Sequence, residues 1–188
     1  MGRLAVALLC LMISGAALAA GSPASERRFK IPDRGELVLR IPVEWNAQLR
    51  PSRFKHRPPT IIFTPAAGTP FKFLVSAIHP KRRDDPSRSE EDDRAFVAQA
   101  ADRAKGRAVD EDIPVVEFKA SSGLGFYFSS KDRIAQDGEF KFLTEGVVRL
   151  DDLSVTFTIL TNEGQEPIVE QALAALKAAS LDTDKRKN

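Results

Sequence analysis

The sequence predicts an α+β fold: a mostly antiparallel sheet of about six to seven strands covered by two main helices, an α/β/α sandwich. Three observations lead there. Several segments alternate apolar and polar residues with a period of two, the pattern of half-buried strands. The links between the later segments are short, which makes their strands antiparallel neighbours. Two further segments carry apolar residues at helical spacing.

The first 19 residues stand apart from that fold. Arg3 precedes an apolar core at 4–13, and Ala17-Leu18-Ala19 is a small-x-small cleavage site, so cleavage is expected after Ala19. The run is broken by Ser14 and Gly15, short of the roughly 20 apolar residues a spanning helix needs. Cys10 is the only cysteine, and it follows Leu9 inside the apolar core, where lipid attachment is not expected. It leaves with the leader, so the mature chain is expected to hold no disulfide or thiol chemistry. The expected product is periplasmic or secreted, without a transmembrane span. Residues 20–28 read as a polar linker, 29–181 as a single α+β domain and 182–188 as a polar tail.

Along the domain, "GELVLRIPVEW" alternates: Leu37, Leu39 and Ile41 share one face, Pro42 ends the strand, and Trp45 folds back over the sheet edge. "TIIFTP" (60–65) and "FKFLVSAIHP" (71–80) read as a hairpin around "PAAGTP". Phe71, Phe73, Val75 and Ala77 form one face of the second strand, and Leu74 and Ile78 show that the other is partly covered. The mixed charges of 81–94 predict a solvated loop leading into a helix capped by Ser89. That helix carries Phe96, Val97, Ala100, Ala101 and Ala104 and stops near Gly106. Four strands follow, at 114–120, 125–133, 139–150 and 153–161, with Asp137-Gly138 as a hairpin signal. A last helix presents Ile168, Val169, Ala172, Leu173 and Leu176, with Pro167 near its start.

Charge and motif narrow the chemistry. Of 28 basic residues only Arg3 lies in the leader, and none of the 26 acidic ones does, so the remainder carries about +1. Such balance argues against nucleic acid as partner. "SSGLGFYFSSKD" resembles a phosphate loop only superficially, because a strand follows the glycines where a helix N-terminus is needed. It reads as a hairpin turn that uses glycine's positive φ, with Phe126 and Phe128 on one face of the strand and Tyr127 on the other. His56 and His79 are the only histidines and lack metal-ligand spacing. The acidic clusters at 90–93, 110–112 and 151–152 lack calcium-loop spacing and read as solvated charge. No cofactor or metal is expected. There is no Gly-x-Ser-x-Gly elbow; His79, beside Pro80 at a strand end, is placed as a catalytic base could be, and a carboxylate pair assembled from distant positions is the other candidate. The most lopsided patch is "RPSRFKHR": Arg50, Arg53, Lys55, His56 and Arg57 stand without an acid. It suits an acidic partner or an anionic surface, and equally a basic edge that discourages strand-to-strand aggregation.

"RIPVEW", with Pro42 and Trp45 in a Pro-x-x-Trp arrangement after an early strand, together with the "FTILTN" strand and the C-terminal amphipathic helix, resembles the Mog1/PsbP-like α/β/α sandwich group. The second half is also similar to uncharacterised exported bacterial proteins. The resemblance covers 29–181 and rests on structural motifs. It implies an antiparallel sheet with helices on its faces and a mostly non-catalytic role; no binding residue carries over from it. The expected function is a non-catalytic binding or accessory protein of the cell envelope, its partner unknown. The alternatives are an enzyme of unrecognised class with its site between sheet and helices, or a small-ligand carrier, which needs a sizeable apolar cavity.

Overall fold

The computed structural model of the chain describes residues 23–52, 58–78 and 88–183. In chain order these form β1 (Ala24–Ile31), β2 (Gly35–Pro42), β3 (Trp45–Arg50), β4 (Thr60–Pro65), β5 (Lys72–Ile78), α1 (Glu90–Ala104), β6 (Val116–Ala120), β7 (Gly123–Lys131), β8 (Phe142–Leu150), β9 (Leu153–Thr161), α2 (Glu166–Lys177) and β10 (Ser180–Asp182). Seven strands make one sheet in the order β3-β4-β5-β9-β8-β7-β6, and β1-β2-β10 make a second. Every pairing in both is antiparallel. The α+β class and the antiparallel sheet expected from the alternation are therefore found.

The period of two decides what covers each face. On one side of the large sheet Phe73, Val75, Val148, Phe157 and Ile159 meet Leu37, Leu39 and Ile41 of β2 and Ala172 and Leu176 of α2. On the other, Phe126, Phe128 and Val147 meet Val97, Ala100 and Ala101 of α1. The large sheet thus lies between α1 and a layer made of α2 and the small sheet. Aromatic rings fill the main core: Phe63 stacks on Phe73 at 5.3 Å and Trp45 packs on Phe71 at 4.7 Å. Each ring taken fully out of water contributes about 1.5–3 kcal/mol.

Four sequence expectations need correction. Residues from Ala24 onward are β1, not linker, because Phe29 and Ile31 alternate into the core beside β2. Trp45 opens the edge strand β3 and is itself buried, rather than folding over that edge. The tail expected from 182 begins within β10, where Leu181 pairs with Leu37 and Asp182 with Glu36. Gly123 and Gly125 belong to β7, and neither has a positive φ; the turn is Ser121-Ser122 before them.

Helix α1 starts as its sequence predicts. The Asp92 amide donates to Ser89 Oγ at 3.0 Å, and the Asp92 carboxylate accepts from the Ser89 amide at 2.8 Å, a reciprocal capping box. Those bonds to Ser89 hold the Asp92 carboxyl below the usual range.

Candidate functional site

The glycines of β7 arrange a wall rather than a turn. Phe118 of β6, Gly125 and Val148 of β8 stand in register across three strands. A Cβ on Gly125 would fall inside the Phe118 ring, so only glycine lets that ring lie across the strand. One row along, Tyr127, Gly146 and Phe157 are in register, and a Cβ on Gly146 would come within 2.6 Å of the Phe157 ring and 2.7 Å of Tyr127 Cβ. Two missing side chains therefore admit three rings, with Phe118 at 5.9 Å from Tyr127 and 6.3 Å from Phe157.

Tyr127 passes from this cluster into a groove of about 460 Å³ between α2 and the β7–β9 end of the large sheet. Its floor comes from alternate strand residues: Tyr127, Ser129 and Lys131 on β7, Phe142 and Thr144 on β8, and Thr161 on β9. Its other wall is a helical stripe, Glu166, Val169, Glu170 and Leu173, at spacings of three and four. Asp110 closes the β7 side, held there because the Val109 amide donates to the Lys131 carbonyl at 2.8 Å. The base of α2 is fixed by the half-turn before it. There the Asn162 amide donates to Gln165 Oε1 at 2.7 Å, and the buried Gln165 donates to the Thr69 carbonyl at 3.3 Å.

The polar groups of the groove fall into two sets. Ser129 and Thr144 share a hydrogen bond of 2.8 Å, and Lys131 lies over the Phe142 ring with Glu163 at 3.4 Å. The Tyr127 and Thr161 hydroxyls, and the Asp110, Glu166 and Glu170 carboxylates, have no hydrogen-bond or ion-pair partner for their side chains among the described residues. Ser129 and Thr144 bond each other, and neither bonds a basic side chain among the described residues, which include neither histidine. No three His, Cys, Asp or Glu residues among those described come together as a metal site.

Two other polar clusters lie outside this groove. The groove at the turn of the small sheet is neutralised by its own pairs: Arg28 binds Glu26, Glu36 and Asp182, and Arg34 binds Asp152. The second corrects an expectation, since Asp93 in the run read as solvated is only 1% exposed. It turns inward because the first turn of α1 lies on β8 and β9, where it binds Arg149, accepts from Ser154 Oγ at 3.1 Å and pairs with Arg88 at 2.9 Å. Asp93 is an anchor between helix and sheet; the Arg149 Nε has no partner among the described residues.

The chain is similar to solved structures, among them the solution structure of cyanobacterial PsbP (CyanoP) from Synechocystis sp. PCC 6803, with 11% identity over 89% of this chain and 98% of that one, at a TM-score of 0.48. No protein-family model and no curated protein matches. Neither residues nor partners transfer at that level of likeness.

Of the residues singled out in the sequence, Arg50 is an exposed residue at the end of edge strand β3. Arg53, Lys55, His56, Arg57 and His79 lie outside the described residues, as do Ala17 and Ala19 of the cleavage site. Of the groove residues, Tyr127, Val169 and Leu173 enter the sequence reading only as strand and helix positions and Asp110 only as solvated charge, none as a binding residue. A signal for them existed: Tyr127, Ser129 and Lys131 alternate on the polar side of "FYFSSK", and Glu166 and Glu170 flank the apolar stripe of α2 at i, i+4.

Proposed function

We propose that this chain is an exported, non-catalytic binding or accessory protein of the cell envelope, and that the groove between α2 and β7–β9 is where it binds. The groove itself carries the reading. Its volume falls within the roughly 300–1,000 Å³ typical of small-ligand sites, and it sets apolar side chains beside a few convergent polar groups. The leader with its Ala17 and Ala19 cleavage site supports export. No helix among the described residues is long and apolar enough to cross a membrane.

A photocrosslinking residue placed at Leu173 in the full-length, exported protein tests this. Specific capture of a cell-envelope molecule at Leu173, absent from a control crosslinker at the distant Lys119, is the expected result. Equal labelling at both positions would remove the groove from consideration.

The edge position of β3 favours a second reading, in which the basic stretch Arg50, Arg53, Lys55, His56 and Arg57 meets an acidic partner or anionic surface. Replacing Arg50, Arg53, Lys55 and Arg57 with Ser is expected to reduce partner recovery after crosslinking. Unchanged recovery rejects that patch.

A further inference from the structure

We infer that the groove between α2 and β7–β9 takes a small organic cation: an ammonium group joined to an apolar, ring-sized body. The inference rests on the groove being the binding site, as proposed above. It adds the charge and shape of the ligand, from three observations.

The first is a charge imbalance. Asp110, Glu166 and Glu170 line the groove without an ion-pair partner among the described residues. The single lining cation, Lys131, is already engaged by Glu163 at 3.4 Å and by the Phe142 ring at 5.4 Å. A carboxylate ligand would face three acids with no cation free to receive it. The three carboxylates are exposed, so an ammonium would gain from them the modest attraction of surface charges acting together.

The second is a hydroxyl that opens only to the groove. Thr161 is 3% exposed and lines the groove, and its hydroxyl has no partner among the described residues. Its oxygen is not among the buried atoms left without a bond, so it meets solvent there, and a donor from the ligand would take the place of water. An ammonium has three N–H donors and no acceptor, and Thr161 and the carboxylates offer acceptors. The Tyr127 hydroxyl, also unpaired, stands across the same space.

The third is the apolar wall. Val169 and Leu173 face Tyr127 and Phe142 across the groove, and the Tyr127 ring is held by the Phe118 and Phe157 packing that Gly125 and Gly146 permit. That surface suits a hydrocarbon body, and an aromatic face beside a cation adds cation–π attraction. The two halves of the ligand thus answer two distinct parts of one groove.

The test titrates the intact protein, without its leader, with phenethylamine, phenethyl alcohol and phenylpropionate, three probes alike in body and different in charge. Chemical shifts of assigned amides and methyls are followed. The expected result is saturable perturbation at Tyr127, Thr161, Val169 and Leu173, with the amine about three- to tenfold tighter than the alcohol and the acid weakest. Glu166→Gln with Glu170→Gln, both exposed at the groove wall, is expected to bring the amine to within about twofold of the alcohol and to leave thermal stability close to that of the parent. Equal binding of all three probes at the groove overturns the cation inference and leaves the groove reading standing. Perturbation centred elsewhere, or no saturable binding by any probe, overturns both.

Discussion

Gly125 and Gly146 are valued here for the space they leave. Adding a methyl at Gly125 drives it into the Phe118 ring, a side chain that can move; at Gly146 it meets the Phe126 carbonyl as well as the Phe157 ring. Gly125→Ala is expected to cost about 1–3 kcal/mol and Gly146→Ala more, read from urea midpoints. Charge at the residue scale behaves differently. Asp93→Asn leaves Arg149, with a side chain only 10% exposed, buried beside a neutral partner, at an expected cost of about 3–5 kcal/mol in the same measurement. Glu145 is the opposite case, because burial pushes its carboxyl above the usual range while Arg103 partly restrains it. A raised carboxyl pKa means that the folded state holds the proton more tightly, so stability falls as pH rises through the carboxylate range. Glu145→Gln should therefore raise the melting temperature near neutral pH, with the advantage disappearing in acid. Such effects were only half legible in the sequence. "GLG" was visible, but its reason lies in a ring on the neighbouring strand, and the inward turn of Asp93 depends on where α1 rests.

Elements were easier to read, and the failures share a cause. Strands β7, β8 and β9 and helix α2 each present a run of buried side chains, so their periods stand out. Among the six residues of β3, "WNAQLR", only Trp45 is buried, as befits an edge strand that meets the core at one point. The eight residues of β1 bury Phe29 and Ile31 alone, and β10 is three residues long with one buried side chain. Periodicity fades when an element contributes so few side chains to the core. At α1, Ser89→Ala is expected to cost about 1 kcal/mol by removing the cap that accepts from Asp92. The last strand has a sharper test. Ending the chain at Ala179 removes Leu181 and its pairing with Leu37, and is expected to lower the melting temperature and speed hydrogen exchange at β2 amides.

At the scale of the molecule, the groove draws on Asp110, β7, β8, β9 and α2, a span of more than sixty residues read from its first to its last lining position. No contiguous motif could announce it: serine, threonine and glutamate at strand and helix spacing look like ordinary surface until topology brings them to one cleft. The α+β class survives that test because it depends on many weak regularities, whereas a site depends on a few exact neighbours. The same topology governs when the fold can form. Strand β9, at residues 153–161, is inserted between β5 and β8 and so joins the early half of the large sheet to the late half. Strand β10, the last of the described strands, completes a small sheet begun by β1. A chain still emerging from the ribosome lacks β9 until residue 161 has been made and β10 until residue 182, and contacts so distant in sequence form slowly. Under the export reading, this delay has a use: the polypeptide stays loose enough to thread through a membrane channel and closes its sheets only on the far side.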